Sequence, residues 1–353
     1  DSGIPRCTEG EMSSTAGEIH EPSLPGGLAV LNPGGNDPDQ FFIHGAGAPA
    51  DPGHPPVNYH AYAACTLGSF LRNPSKLRPE QRAVLLLLRR DLKLALKTLT
   101  ALQKEGRLVA ISLKEAGTHQ VAALLDDAKQ FGRFRELCER AHFCLASTPD
   151  LVPFYLGAGA RRSEFIPTPY PVDVPSWNFA RPFREQRGIF LGTREFDVPT
   201  RNHLAALLAA RALGEEITVI NTNGRSGRRM LEALGIPGLR VIEGRLHYNA
   251  YLRLMAEHRL VFQCDRSAVP GQVAGDALLC RIPCVGGDGA IERIAFPELN
   301  GYGRTPLDLV TKASRLLRDA TAHARAVQES QRLANEELSF TVVAARLARA
   351  FAA

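Results

Sequence analysis

Residues 259–299, RLVFQCDRSAVPGQVAGDALLCRIPCVGGDGAIERIAFPEL, read as strand, polar turn, short helix, strand and glycine-rich turn in immediate succession. That order leaves little room for folds other than an open parallel sheet, where ligand sites form at turns beyond the carboxyl ends of the strands. Residues 260–264 have the character of a strand covered on both faces, and 283–285 start another after a short helix. Between them Gln272 and Asp276 share one helical face while Val273, Ala277 and Cys280 form the other, so the polar pair is expected to look outward towards whatever sits at the strand ends.

The same alternation runs through the rest of the chain. Residues 28–32 read as a short strand, followed by Pro33-Gly34-Gly35, whose small side chains let a ligand approach the backbone. Residues 46–56 carry too much glycine and proline for regular structure. A buried strand is expected over 84–88, a leucine-striped helix over 91–105 ended by Gly106, and a strand over 108–113. Thr118 can cap a helix that starts at His119 and continues with interruptions towards Ala141, with strands at 143–146 and 164–166. The second half supplies strand 188–191, helix 201–213, strand 217–221, helix 228–234, strand 240–242 and helix 248–258. Strands alternating with helices imply right-handed crossovers and a mainly parallel sheet.

A boundary falls at residues 168–187, which hold four prolines and the only tryptophan. The organisation expected is an extended segment at 1–27, a Rossmann-like unit at 28–170, a linker at 171–187, a second Rossmann-like unit at 188–334 and a closing helical segment at 335–353. A chain of 353 residues, 44% of them apolar, is long enough for two cores. The net charge of +5 comes from 42 basic residues scattered along the chain, which suits a solvated surface and leaves peripheral contact with an anionic surface open. Seven cysteines without a CxxC pair, mostly inside apolar runs, suit a reducing cytoplasm. No P-loop, HExxH or GxSxG motif is present.

The segment PGQVAGDALLCRIPCVGGDGAIER resembles the nucleotide-sugar site of GT-B glycosyltransferases of the retaining E-x7-E, family 4-like class, which usually shows E-G-F-G-L-x-x-x-E-A-M-A-x-G-x-P-V-V, then G-G and a further Glu. In that register Gly271 is the motif glycine, Asp276 stands at the second Glu, Pro283 at the motif proline, and Glu292 follows the glycine turn. Ala268 occupies the position of the first Glu, and Asp265 is the neighbouring carboxylate able to replace it. The stretch FIPTPYPVD is similar to the turn by which such enzymes leave the first domain, with Asp173 at the Asp position.

The resemblance implies two facing Rossmann-like domains with parallel sheets, the first taking the acceptor and the second the nucleotide sugar, and a last helix crossing back to the first domain. It implies transfer of a sugar from a UDP- or GDP-sugar to an unidentified glycan, lipid, protein or nucleic-acid acceptor, with retention of configuration. Negative charge grows on the leaving phosphate, so positive charge beside it is the first requirement. Arg194 and Arg201, in the turn after the first strand of the second domain, are the candidates; Arg201 alternatively just opens the next helix. Helix N-termini at Gly271 and Gly289 add backbone donors, so no metal or other cofactor is expected.

Gln272, Asp276 and Glu292 would bind the donor, Asp276 through the ribose hydroxyls, although Glu292 is equally explained by the dipole of its own helix. Gly34 and Gly35 correspond to the glycine turn that admits donor phosphate or acceptor, and His119 to the histidine that touches the transferred sugar. Lys114 and Glu115 are either site residues or an ion pair, and the cluster Arg225, Arg228, Arg229 reads as a solvated helix start. The loop at 45–56 and the following Tyr59, His60 and Tyr62 lie where acceptor specificity resides. Two further readings stand beside this one: a nucleotide-sugar-binding scaffold without turnover, and a sugar-nucleotide epimerase.

Overall fold

The computed structural model describes residues 24–192, 196 and 198–353. The first half builds a sheet from β1 (Ala29–Leu31), β2 (Gln40–Phe41), β3 (Ser69–Leu71), β4 (Ala83–Leu88), β5 (Leu108–Leu113), β6 (Phe143–Ala146) and β7 (Ser163–Phe165). Their order is β2-β3-β1-β4-β5-β6-β7, with only the short β2 antiparallel to its neighbour. β4, AVLLLL, is buried at every residue because helices cover both faces of a parallel sheet. These helices are α1 (Tyr59–Cys65), α2 (Leu92–Lys104), α3 (Thr118–Leu124), α4 (Ala128–Arg140) and α5 (Leu151–Gly157).

The helix expected from His119 towards Ala141 is two helices. Asp127 accepts from the Gln130 backbone N–H at 2.8 Å, capping α4 and ending the turn before it. The other departure lies at residues 57–71, which form α1 and β3 inside the core. Tyr59 and Tyr62 are buried there, donating to Leu113 O at 2.6 Å and Ile166 O at 2.8 Å; Tyr62 is closed off in the core, while Tyr59 still borders the cavity between the sheets. His60 is sandwiched between His54 and Phe70, with ring centroids 3.7 and 3.6 Å away, and burial pushes its pKa down to about 2.

The second half contributes β8 (Ile189–Leu191), β9 (Ile217–Asn221), β10 (Leu239–Glu243), β11 (Leu260–Phe262) and β12 (Cys284–Val285), parallel throughout in the order β10-β9-β8-β11-β12. Its helices are α6 (His203–Arg211), α7 (Gly224–Leu234), α8 (Tyr248–Met255), α9 (Gln272–Leu279), α10 (Ala290–Ala295), α11 (Pro306–Arg318) and α12 (Ala320–Glu337). Finally α13 (Phe340–Ala352) crosses back to the first sheet, packing against α1. There Arg162 donates to Ala350 O at 2.5 Å, and Phe351 meets Phe143 edge to face at 5.1 Å.

The chain thus passes between the halves twice, and the two passages touch: Tyr170 N donates to Leu338 O at 2.8 Å. One apolar core runs from the first sheet through Tyr170 and Trp177 into α9 and α13. The six described cysteines are free thiols. Among the described residues no helix is long and apolar enough to cross a membrane.

Candidate active site

The two sheets point the carboxyl ends of β5, β8 and β11 at a common gap, and the loops beyond them close on each other. Thr118 N donates to Ser267 O at 3.2 Å, and Asn58 Nδ2 donates to Gln272 Oε1 at 3.1 Å across the gap. His119 Nδ1 lies 3.2 Å from the Thr200 hydroxyl, which in turn bonds the Ser267 hydroxyl at 2.8 Å. Enclosed between these bridges is a cavity of about 300 Å³.

Gly271 opens α9 on the cavity wall at a φ of +96°, and a Cβ there would stand 2.0 Å from Glu292 Oε2. Glycine is required at this position for both reasons. Gln272 follows it, half-buried. One turn on, Asp276 also lines the cavity, on the side the helical pattern turned towards the strand ends, and it is 1% exposed. Its burial has a partner: Tyr248 donates to Oδ1 at 2.5 Å and Tyr170 reaches the same oxygen at 3.5 Å. Tyr170 also donates to Gln272 O at 3.1 Å, its ring lying over Gly275, where any Cβ would meet it at 2.1 Å.

Arg201 sits in a single 3-10 turn (Pro199–Arg201) ahead of α6, and its guanidinium pairs with Asp265 inside the cavity. Asp265, 5% exposed, also accepts from Ser267 N at 2.8 Å. Ala268 stays out of the lining; it takes a left-handed φ of +50° and its N–H donates to Asp288 at 2.9 Å. The carboxylate beside Arg201 therefore comes from Asp265 and not from the motif position. Arg194 lies outside the described residues.

Glu292 is 2% exposed and accepts from Gln263 Nε2 at 2.9 Å through Oε1, while Oε2 has no hydrogen-bond partner among the described residues. Burial pushes its carboxyl up to about 8, and the neighbouring Asp265 and Asp288 charges act the same way.

Other candidates fall further out. Gly34 is exposed and Gly35 packs onto Asn32, where a Cβ would collide at 2.2 Å, and neither lines the cavity. Lys114 and Glu115 both line it but do not pair; Lys114 Nζ faces Asp37 at 3.6 Å and Glu115 accepts from Gln120 at 3.1 Å. His119 holds the rim while Gln120 lines the interior. Arg225, Arg228 and Arg229 are exposed, Arg228 pairing with Glu243 at 3.0 Å. Asn58, Gln263, Tyr170 and Tyr248 were not picked out from sequence. Gln263 had a legible signal, as a polar residue in an otherwise apolar strand run.

A second cavity of about 660 Å³ is lined by the loop at residues 40–56 with Trp177, His247, Tyr248 and Asn249. Trp177 pins that loop, its indole N–H donating to Ala46 O at 3.2 Å and Gly47 O at 3.1 Å.

No protein-family model and no curated protein matches the chain. Solved structures share its architecture. Sucrose-phosphate synthase from Thermosynechococcus elongatus aligns with a TM-score of 0.61 at 14% identity, over 91% of this chain and 97% of that one. Anabaena HepE, solved in complex with UDP and glucose, gives 0.58 at 14% identity over 75% of this chain and 77% of its own. Trehalose-6-phosphate synthase OtsA gives 0.56 at 14% identity over 76% and 71%. The chain has the GT-B fold, two Rossmann-like units facing across a cleft.

Proposed function

We propose that the cleft binds a nucleoside-diphosphate sugar, UDP-linked before GDP-linked, and that the protein transfers the sugar to an acceptor hydroxyl with retention, as a divergent member of the E-x7-E, family 4-like class. The observation that carries this reading is the convergence of Arg201, Gln272, Asp276 and Glu292 on one cavity at the N-terminus of α9. A helix N-terminus with an arginine beside it suits a diphosphate. Support comes also from HepE, whose structures were solved with UDP and with UDP-glucose.

In this reading Arg201 and, from the adjoining turn, Arg194 neutralise the leaving phosphate. Asp276, held by Tyr248, accepts from the ribose hydroxyls, and the rim residue His119 approaches from the first sheet. The leaving phosphate itself takes the acceptor proton on the same face, so no step needs a metal. The acceptor enters by the second cavity, whose lining residue Tyr248 bonds Asp276 and whose described lining carries no lysine or arginine. That lining suits an uncharged acceptor.

The test is NMR of the protein with a panel of UDP- and GDP-sugars, following binding and slow release of free sugar. Release of one sugar, first as the anomer of the donor, supports retaining transfer. No binding of any donor refutes the reading. A scaffold without turnover is favoured by one feature, the alanine at position 268, and binding without release in the presence of acceptors would select it.

A further inference from the structure

We propose that Glu292 is a neutral carboxylic acid in the working protein and that its Oε2–H donates a hydrogen bond to an oxygen of the bound diphosphate. This rests on the reading of the cleft as a nucleoside-diphosphate site.

The geometry leaves this carboxyl few alternatives. It borders the cavity yet is 2% exposed; Gln263 engages Oε1 and the residue's own backbone N–H favours the charged form, but Oε2 has no hydrogen-bond partner among the described residues. Oε2 faces the glycines that begin α9 and α10: a Cβ on Gly271 would come within 2.0 Å of it and one on Gly289 within 2.4 Å. A buried polar atom with no partner costs free energy unless a ligand completes it. Here the free oxygen lies at the N-terminus of α9, where an anion would settle.

Among the described residues no cation pairs with the Glu292 carboxyl. From β11 and its loop come Gln263, Asp265 and Arg266; Asp265 is committed to Arg201, and Arg266 donates to Arg304 O. β12 presents the Cys284 thiol, the following turn Asp288, and α9 Asp276. The linker brings the Tyr170 hydroxyl, which is itself bonded to α9. On its own helix Arg293 points away to Asp150 at 2.7 Å. α12, packed on α10, buries only His323, Ser330 and Gln331 among polar groups, while its Glu329 and Glu336 pair with Arg332 in solvent. The nearby Asp265 and Asp288 oppose a charged Glu292, and a charged Glu292 would repel an incoming phosphate. Desolvation, which raises this carboxyl to about 8, agrees with the geometry.

The experiment is calorimetric titration of UDP and of uridine into wild-type protein and Glu292→Gln between pH 7 and 9, above the second phosphate ionisation near about 6. Expected is a wild-type UDP affinity that falls towards tenfold per pH unit above about 8, a much smaller change for uridine, and a flat profile for Glu292→Gln. A wild-type profile as flat as the variant's, or an equal loss for Glu292→Gln at pH 7 and 9, overturns the proposal. A second readout needs neither the variant nor a ligand: a carbon-13 carboxyl resonance of wild-type protein titrating near pH 8. Its absence overturns the neutral carboxyl outright; its presence with no UDP binding at any pH refutes the diphosphate site and with it the glycosyltransferase reading.

Discussion

Tyr248 lines the second cavity and places its hydroxyl 2.5 Å from Oδ1 of Asp276, which lines the first, so one hydrogen bond links the two compartments. Tyr248→Phe deletes one hydrogen bond to a buried carboxylate, at a cost of about 1.5 to 3 kcal/mol shared between stability and UDP affinity. Tyr248→Ala also opens the wall and is expected to lower transfer more than UDP binding. Calorimetry beside a transfer assay separates the two, and identical behaviour of both variants would rule out a role for the ring.

Asp276→Ala leaves the Tyr248 hydroxyl facing an empty site, while Tyr170 keeps its bond to Gln272 O, and removes the acceptor for the ribose. UDP binding should weaken by about 1 to 3 kcal/mol. Asp276→Asn, which keeps the volume, should recover most of the stability but little of the affinity. Unchanged affinity in both would remove the ribose assignment.

Arg201→Ala strands Asp265, which is 5% exposed, without its cation. The arginine is itself partly exposed, so the stability loss is expected at about 1 to 3 kcal/mol, below that of a fully buried pair. UDP affinity should fall by at least tenfold while uridine affinity changes little; parallel losses would make Arg201 structural.

Glu292 also sets a pH dependence of folding. Its folded-state value lies above the unfolded one, so the folded chain holds a proton that the unfolded chain releases. The contribution is fully present below the ordinary glutamate range and is lost as pH rises through it to about 8. The wild-type unfolding midpoint is expected to fall across that window relative to Glu292→Gln, and to run parallel to it above. Parallel curves throughout would contradict the raised carboxyl.

Gly275→Ala introduces a Cβ 2.1 Å from the Tyr170 ring, which is fully buried and tied to α9 through its hydroxyl. A loss of about 1 to 3 kcal/mol is expected in chemical denaturation. His119→Ala, by contrast, breaks only the rim bond to Thr200 and should reduce turnover more than donor affinity; equal loss of both would mark a folding role.

The parallel architecture was readable because buried strands such as AVLLLL and capped helices such as 92–104 repeat a local pattern. Gly271, Asp276 and Glu292 were placed in one site for a related reason, since a single strand-turn-helix segment carries them. What lay beyond sequence depended on long-range contacts. Nothing near Tyr248 announces a bond to Asp276, 28 residues on. The tyrosines of α1 looked available because their burial is imposed by β5 and α13, remote in the chain. Gly34 and Gly35 resembled a ligand turn, yet the turn is filled by their own neighbour Asn32. The split of the helix after His119 turned on one aspartate whose capping bond competes with helix continuation.

The return of α13 orders synthesis as well as structure. Arg162 and Phe143 receive their partners, Ala350 and Phe351, from a segment translated 188 residues later in the case of the arginine. Until that helix emerges from the ribosome, the first unit carries an unsealed apolar strip beside β6, so its completion is coupled to that of the second unit. Loss of residues 340–352 would therefore damage the half of the protein farthest from them in sequence.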